Sequence, residues 1–323
     1  MVRAGIDLGA HSLRLIVDGE GVVFDEPSVV AFNEKGDVLA IGEQAYDLRS
    51  SRDRTIRLVR PIRDQGVDTK ALEAMLNELC YEFRLFRLFQ KTTLLLSYSS
   101  AFSEEDILHL KQTLLDLGAS QIYFDPEIWM AAVGSGLDLF LPVSSCVLSV
   151  GFSNCDIAIF RQGQRIYHAS NPSLNGRRAS ELAAKYLLRH HDLIPDEQTL
   201  DLLIQSIGAV RLSSKDQYVR IKGRLRDTEK QIEIPVSQNE MAAVLAPFAR
   251  ELGLWVSSFV RGLPENIQLD LSERGIVASG GTMKMLGLAD QIGALAGCPV
   301  YCTDEPDRTV SRGMEALLET IGR

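Results

Sequence analysis

The sequence predicts an α/β fold made of two related halves, and three observations lead there. First, residues 142–163 restate residues 2–19, so that Asp7-Leu8-Gly9 lies over Ser149-Val150-Gly151. In each copy an apolar run meets a glycine, a few small polar residues follow, and a second apolar run resumes. A turn pair then closes the unit, Asp18-Gly19 in one copy and Gln162-Gly163 in the other. Second, strand-like segments alternate with segments of helical spacing beyond each hairpin. Third, 323 residues with 46% hydrophobic and 24% charged content suit roughly two domains with sizeable cores.

The elements follow in order. After the first hairpin, Val22 to Phe24, Ser28 to Phe32 and Val38 to Ile41 read as strands, and an arginine-rich stretch leads to Pro61. Asp68 to Phe83 has helical spacing, with Leu72, Met75, Leu76 and Leu79 on one face. Strand Thr92 to Tyr98 is followed by a helix that Ser103 starts and Gly118 ends, its first turn carrying Glu104, Glu105 and Asp106. Strand Ile122 to Phe124 then passes through Asp125-Pro126-Glu127 into a helix reaching Gly134. In the second half, helices are expected from Arg178 to His190 and from Asp196 to Ser206, and strands from Tyr218 to Leu225 and Gln231 to Val236. Ser237 and Glu240 form a capping box for a long helix burying Met241, Leu245, Phe248 and Leu252. Gly275 to Thr282 reads as strand, glycine turn and helix, Val300 to Cys302 as the last strand, and a closing helix starts at Thr309.

Composition narrows the function classes. A net charge of −9 excludes a general nucleic-acid binder, whose affinity comes mostly from neutralising phosphates. Two basic runs, Arg54, Arg57, Arg60, Arg63 and Arg220, Lys222, Arg224, Arg226, are read as solvated faces with at most a secondary role toward an anionic surface. No apolar run of about 18 residues and no signal-peptide pattern is present, so a cytoplasmic protein is expected. The five cysteines are expected to be reduced, and neither they nor the five histidines have zinc-ligand spacing.

Three places carry candidate chemistry. The glycine turns at Gly9 and Gly151, with hydroxyl and amide side chains nearby, suit phosphates held between two domains; one such turn alone would be an ordinary strand end, and duplication favours the anion reading. Gly280-Gly281 before a helix is a further place for amides to meet a phosphate or nucleoside. Glu127, at a strand-to-helix switch, is on its own a helix-start acid. Phe83-Arg84-Leu85-Phe86-Arg87-Leu88-Phe89 has two readings: core if the preceding helix continues, insertion into an anionic bilayer surface if it is an exposed loop.

The order of strand-Asp-x-Gly hairpin, second glycine hairpin and strand-Ser-Gly-Gly resembles the superfamily of actin, sugar kinases and heat-shock chaperones. Within it the chain is similar to the bacterial actins of the MreB family, on Gly5-Ile6-Asp7-Leu8-Gly9, Glu26-Pro27-Ser28-Val29-Val30-Ala31, Arg60-Pro61-Ile62-Arg63-Asp64, Ala131-Ala132-Val133-Gly134, Arg274-Gly275-Ile276-Val277 and Ser311-Arg312-Gly313. The resemblance implies an actin-like α/β fold, with two duplicated ribonuclease-H-like domains around a central cleft. Domain I would be 1–141 with a small subdomain inserted at about 33–69 and closed by helix 309–323, and domain II 142–308 with an insertion at about 180–245. It also implies ATP or ADP with magnesium, self-assembly into filaments, and contact with an anionic membrane surface at the inner face of the cell membrane. Cell-wall or division proteins would be its further partners. Carried over by position, Glu127 would orient the attacking water and Asp7 would face the metal. Asp7, Gly9, Ser12, Gly151, Ser153, Asn154, Gly280 and Gly281 would contact nucleotide, and Phe86, Leu88 and Phe89 would enter the membrane.

The departures from the family pattern gather in the nucleotide site. The family's Thr-Ala-Asn-Thr after Asp-Leu-Gly is Ala10-His11-Ser12-Leu13 here, and its Asp-Ile-Gly-Gly-Gly-Thr-Thr is Ser149 to Cys155, with Phe152 and Ser153 in place of glycines. Glu-Glu-Pro is Pro126-Glu127-Ile128, Ile204 and Ser206 stand where a Lys and a Glu are usual, and Thr282 replaces the last glycine of the third loop. Phosphoryl transfer depends on positioning and charge neutralisation, so weak or absent hydrolysis is expected. A filament-forming scaffold with a degenerate site is the leading reading. An active ATPase or kinase of the superfamily, and a non-polymerising adaptor, are the alternatives.

Overall fold

The computed structural model describes residues 1–48, 55–63, 66–87, 89–228 and 230–321; Arg54, Asp64 and Leu88 lie outside them. The chain divides into two compact units, Met1–Leu137 with Arg308–Arg323, and Asp138–Asp307. The first contains a five-stranded sheet in the order Gln121–Pro126, Thr92–Tyr98, Val2–Leu8, Ser12–Val17, Gly21–Pro27. The second repeats the plan: Val300–Cys302, Ile276–Ser279, Ser145–Val150, Cys155–Arg161, Gln164–Ser170. In both, the central strand begins an antiparallel meander on one side and pairs with a parallel strand on the other.

The duplication reaches the register of single residues. Asp7 lies opposite Arg14 and Ser149 opposite Asp156, while Asp7 is abreast of Ser97 and Ser149 abreast of Ser279. A glycine follows the central strand in each copy, at Gly9 and Gly151. Both central strands are buried nearly throughout, which explains their continuous apolar runs rather than alternation.

Each unit has its own core. Ile6, Leu13, Leu15, Leu72, Met75, Leu94 and Leu96 pack in the first, and Leu148, Ile157, Ile159, Leu245, Phe248, Leu252 and Ile292 in the second. In the first unit, helices Glu127–Gly134 and Thr309–Thr320 approach backbone to backbone. A Cβ on Gly313 would overlap the Met130 carbonyl oxygen and lie 2.8 Å from its carbon, and one on Gly134 would overlap the Thr309 carbonyl oxygen. The motifs Ala131-Ala132-Val133-Gly134 and Ser311-Arg312-Gly313 are thus the two sides of one close helix crossing.

Smaller sheets lie within the intervening segments. Val30–Phe32 joins Val38–Ile41 and Arg57–Val59, with a small core of Val29, Ala31, Ala45 and Tyr46. Leu193–Ile194, Tyr218–Leu225 and Gln231–Ser237 form another three-stranded sheet, in which Arg220, Lys222 and Arg224 are exposed and Ile221 is buried. Arg220, Lys222 and Arg224 are therefore one solvated strand face, and exposed Arg226 lies in the turn beyond it. Helix Gln238–Arg261 starts with the expected capping box of Ser237 and Glu240. By length and composition it could cross a membrane, yet its Met241, Leu245, Phe248, Leu252 and Val256 are buried in the core.

Two local expectations need correcting. Val22 to Phe24 is part of a longer strand, Gly21–Pro27, and Ser28 falls between strands rather than within one. The segment after Gly280 is a single 3-10 turn, Gly281–Lys284, rather than a full helix, because Met285 leaves helical geometry and Gly287 turns the chain with φ of 83° before helix Leu288–Ala296.

Candidate functional site

In the first unit the residues expected to bind nucleotide fall on the turn after Val2–Leu8. Gly9 is required there, since a Cβ would overlap the Ser12 carbonyl oxygen. The turn is braced from outside: Arg60 Nη1 donates to the carbonyls of Ala10 and His11 at 3.4 and 3.3 Å, and Ser28 N donates to His11 O at 2.9 Å. Ser12 is half-buried and begins the second strand.

Asp7 is 5% exposed and belongs to a polar row crossing all five strands: Asp125, Ser97, Asp7, Arg14, Asp25. Arg14 lies 3.5 Å from Asp7 and its Nε donates to Asp25 at 2.9 Å. Arg308 approaches Asp25 from the other side at 3.6 Å. Burial pushes the Asp7 carboxyl above its ordinary value, and Arg14 opposes that rise. Burial likewise raises Asp125. Glu127 starts the helix two residues beyond Asp125 and is half-buried, so it stands at the same end of the sheet as Asp7.

The second turn is closed on itself. Gly151 N donates to Asn154 O at 2.8 Å. The first amides of helix Gly176–His191 are turned inward, with Gly176 N donating to Gly151 O and Arg177 N to Phe152 O, both at 2.9 Å. Thr282 Oγ1 donates to Gly151 O at 3.0 Å, and the Arg177 guanidinium sits 5.2 Å from the centre of the Phe152 ring. The amides of a helix N-terminus, which suit an anion, are therefore bonded to the turn's own carbonyls. Ser153 and Asn154 are buried, and the Asn154 side chain donates to Asp156 and accepts from Ser170 at 3.2 Å. Asp156 is buried too and pairs with His168 Nε2 at 2.9 Å.

In the third loop, Gly280 adopts φ of 92° and a Cβ there would lie 2.8 Å from Val150 N. Its amide donates to Pro306 O at 2.6 Å, whereas Gly281 is exposed. Gly151, Ser153, Asn154, Gly280 and Gly281 thus share the second unit, and Asp7, Gly9, Ser12 and Glu127 the first.

A divalent metal is implied by the superfamily, and the residues beside Asp7 do not fit one. The Asp7 carboxylate already has the Arg14 guanidinium beside it. Among the described residues, no group of three or more His, Cys, Asp or Glu side chains is arranged to hold a metal ion.

The aromatic run is divided by depth. Helix Thr69–Glu82 ends before it, so the core reading by helix continuation fails for its far end. Phe83 packs edge-on against Phe24 with ring centres 6.0 Å apart, Leu85 is buried, and Phe86 is half-buried against the core. Phe89 is fully exposed, with a positive φ of 64°, while Arg84 and Arg87 are also exposed. Leu88 lies outside the described residues.

Sequence reasoning missed Arg14, Asp25 and the Asp156–His168 pair, and read Arg60 as part of a solvated face although it is half-buried against the first turn. For Arg14 a signal existed: a hairpin turning at 9–12 places residues 7 and 14 opposite one another, on the same face.

Comparison with known proteins agrees with this architecture. The family described as MreB/Mbl protein matches residues 2–323. The cell shape-determining protein Mbl of Bacillus subtilis is 25% identical over 321 residues, 99% of this chain and 96% of that protein. MreB5 of Spiroplasma citri, in a crystal structure bound to AMPPNP, superposes with a TM-score of 0.90 at 23% identity, covering 99% of this chain and 96% of the other. MamK in a double helical filament gives a TM-score of 0.79 at 16% identity, with 98% of each chain covered. The fold is actin-like, as the resemblance implied, and the chain belongs to the MreB/Mbl family.

Proposed function

We propose that this chain is a filament-forming cytoskeletal scaffold of the MreB type, lying against the inner face of the cell membrane and organising cell-wall or division proteins there. Family membership over residues 2–323 is the observation that carries this reading. Support for self-association comes from the MamK filament and support for a shape-determining role from Mbl, both matched along nearly their whole length. Domain I would be the unit containing Asp7, and domain II the unit containing Gly151, each with a small inserted sheet.

The nucleotide site is degenerate on this reading. MreB5 has been crystallised with AMPPNP, so ATP or ADP is the ligand class to test. In this chain Gly151 N and the helix amides of Gly176 and Arg177 donate to carbonyls of the second turn, Phe152 and Arg177 stack beside it, and Asn154 faces Asp156. Glu127 keeps its place as the residue that would orient a water, but positioning and charge neutralisation supply most of the rate in phosphoryl transfer. Hydrolysis is accordingly weak or absent, and filaments form without it. Phe89, with Leu88, is the membrane-inserting element, Phe86 being half-buried against the core, and exposed Arg84 and Arg87 favour an anionic surface.

The test is co-sedimentation with anionic liposomes, alongside electron microscopy of the same samples. Leu88→Ser/Phe89→Ser is expected to lower liposome binding while filaments persist. Unchanged liposome binding by that double variant would remove the membrane assignment. Steady phosphate release abolished by Glu127→Ala would favour an active ATPase, and a monomer at high concentration would favour an adaptor.

A further inference from the structure

We propose that Arg14 is a resident counter-ion that takes the place of a divalent metal beside Asp7, so that this turn works without a divalent ion. The inference rests on assigning Asp7 to the nucleotide site, as above, but its test needs neither nucleotide nor filaments. Three adjacent strands bring the groups together: Asp7 on Val2–Leu8, Arg14 opposite it on Ser12–Val17, and Asp25 opposite Arg14 on Gly21–Pro27. Paired residues on neighbouring strands point to the same face, so the guanidinium reaches both carboxylates at once, 3.5 Å from Asp7 and 2.9 Å from Asp25.

The charges balance without any ion. Asp7 and Asp25 carry two negative charges, and Arg14 and Arg308 supply two positive ones, Arg308 standing 3.6 Å from Asp25. A divalent cation entering this group would meet the Arg14 guanidinium, whose side chain is only 13% exposed and cannot move far without taking its charge away from the buried Asp7 carboxylate. A desolvated carboxylate such as Asp7 holds on to such a partner, because an unpaired buried charge is far costlier than a paired one. An arginine also remains charged at any physiological pH and cannot be chelated or exchanged, as a metal can. The second half of the repeat follows the same logic in milder form. Ser149 replaces the acid, and the carboxylate opposite it, Asp156, is paired with His168 rather than left for an ion.

Manganese binding to the purified full chain tests this directly, by paramagnetic resonance of free Mn2+ without nucleotide. The wild type is expected to show no saturable site that depends on Asp7. Arg14→Ala is expected to gain one, with affinity at least about tenfold above any wild-type binding, the scale set by removing one like charge next to an acid. Asp7→Asn in the Arg14→Ala background should abolish the gain. Arg14→Met, which keeps the apolar stem, serves if Arg14→Ala does not fold. A saturable wild-type site lost in Asp7→Asn would overturn the proposal, and so would folded Arg14 variants that gain no site.

Discussion

Gly313→Ala probes the helix crossing that joins the two ends of the first unit's sequence. Gly313 lies inside helix Thr309–Thr320, where alanine is by itself the better residue by about 1 kcal/mol. Against that stands the added Cβ, which would overlap the Met130 carbonyl oxygen and lie 3.0 Å from Gly134 N. These are backbone atoms of a second helix, so no side-chain rotation relieves the overlap and the helices must separate. Overpacking of this kind costs about 1–3 kcal/mol, and rigid backbone on both sides places the cost at the upper end. A net loss of about 2 kcal/mol is expected after the gain in helix propensity. Urea unfolding followed by circular dichroism should show an earlier midpoint for Gly313→Ala. Gly262→Ala is the control, since Gly262 has φ of −78° and a Cβ there would meet nothing closer than 3.4 Å. A Gly313→Ala variant as stable as the wild type would refute the account of the crossing.

Three further outcomes follow from local chemistry. Ser237→Ala removes the cap of helix Gln238–Arg261, whose Ser237 hydroxyl accepts from Glu240 N at 3.1 Å, and should cost about 1 kcal/mol in urea titration. Asp270 accepts from Ser144 N at 2.8 Å and Arg161 at 3.1 Å; burial works to raise its carboxyl, but these partners prevail and hold it below its ordinary 3.8. Its stabilisation is present above that value and lost as pH falls through the lowered folded value, so Asp270→Asn should be less stable at neutral pH and approach the wild type in acid. Phe89→Ser alone, at a fully exposed side chain, should leave the urea midpoint unchanged while weakening liposome binding.

Much of the fold could be read from the chain because its signals are local or repeated. Ser237 marks its helix by a capping box and Ser103 marks its own by the acids that follow it, where the structure adds a second capping box with Asp106; the alternation of Tyr218–Leu225 gives that strand its bounds. The hairpin repeat was legible because glycine and turn residues recur at matching offsets, and the structure extends it to equal cross-strand register. The site was less legible for a physical reason: its character depends on which groups satisfy one another across strands. Arg14 is a charge in an otherwise apolar strand, and its partners, Asp7 and Asp25, lie on the two neighbouring strands. The inward amides of Gly176 and Arg177 are set by a packing contact 25 residues after Gly151, which no motif at either place encodes. The aromatic run was ambiguous because it changes environment midway, from buried Leu85 to exposed Phe89.

The measurement that bears most directly on the central claim is electron microscopy with pelleting of the purified chain, in ATP, in ADP and without nucleotide. The scaffold reading expects filaments of like abundance in all three conditions. A chain that remains monomeric throughout would contradict it, and filaments found only with ATP would contradict the degenerate nucleotide site.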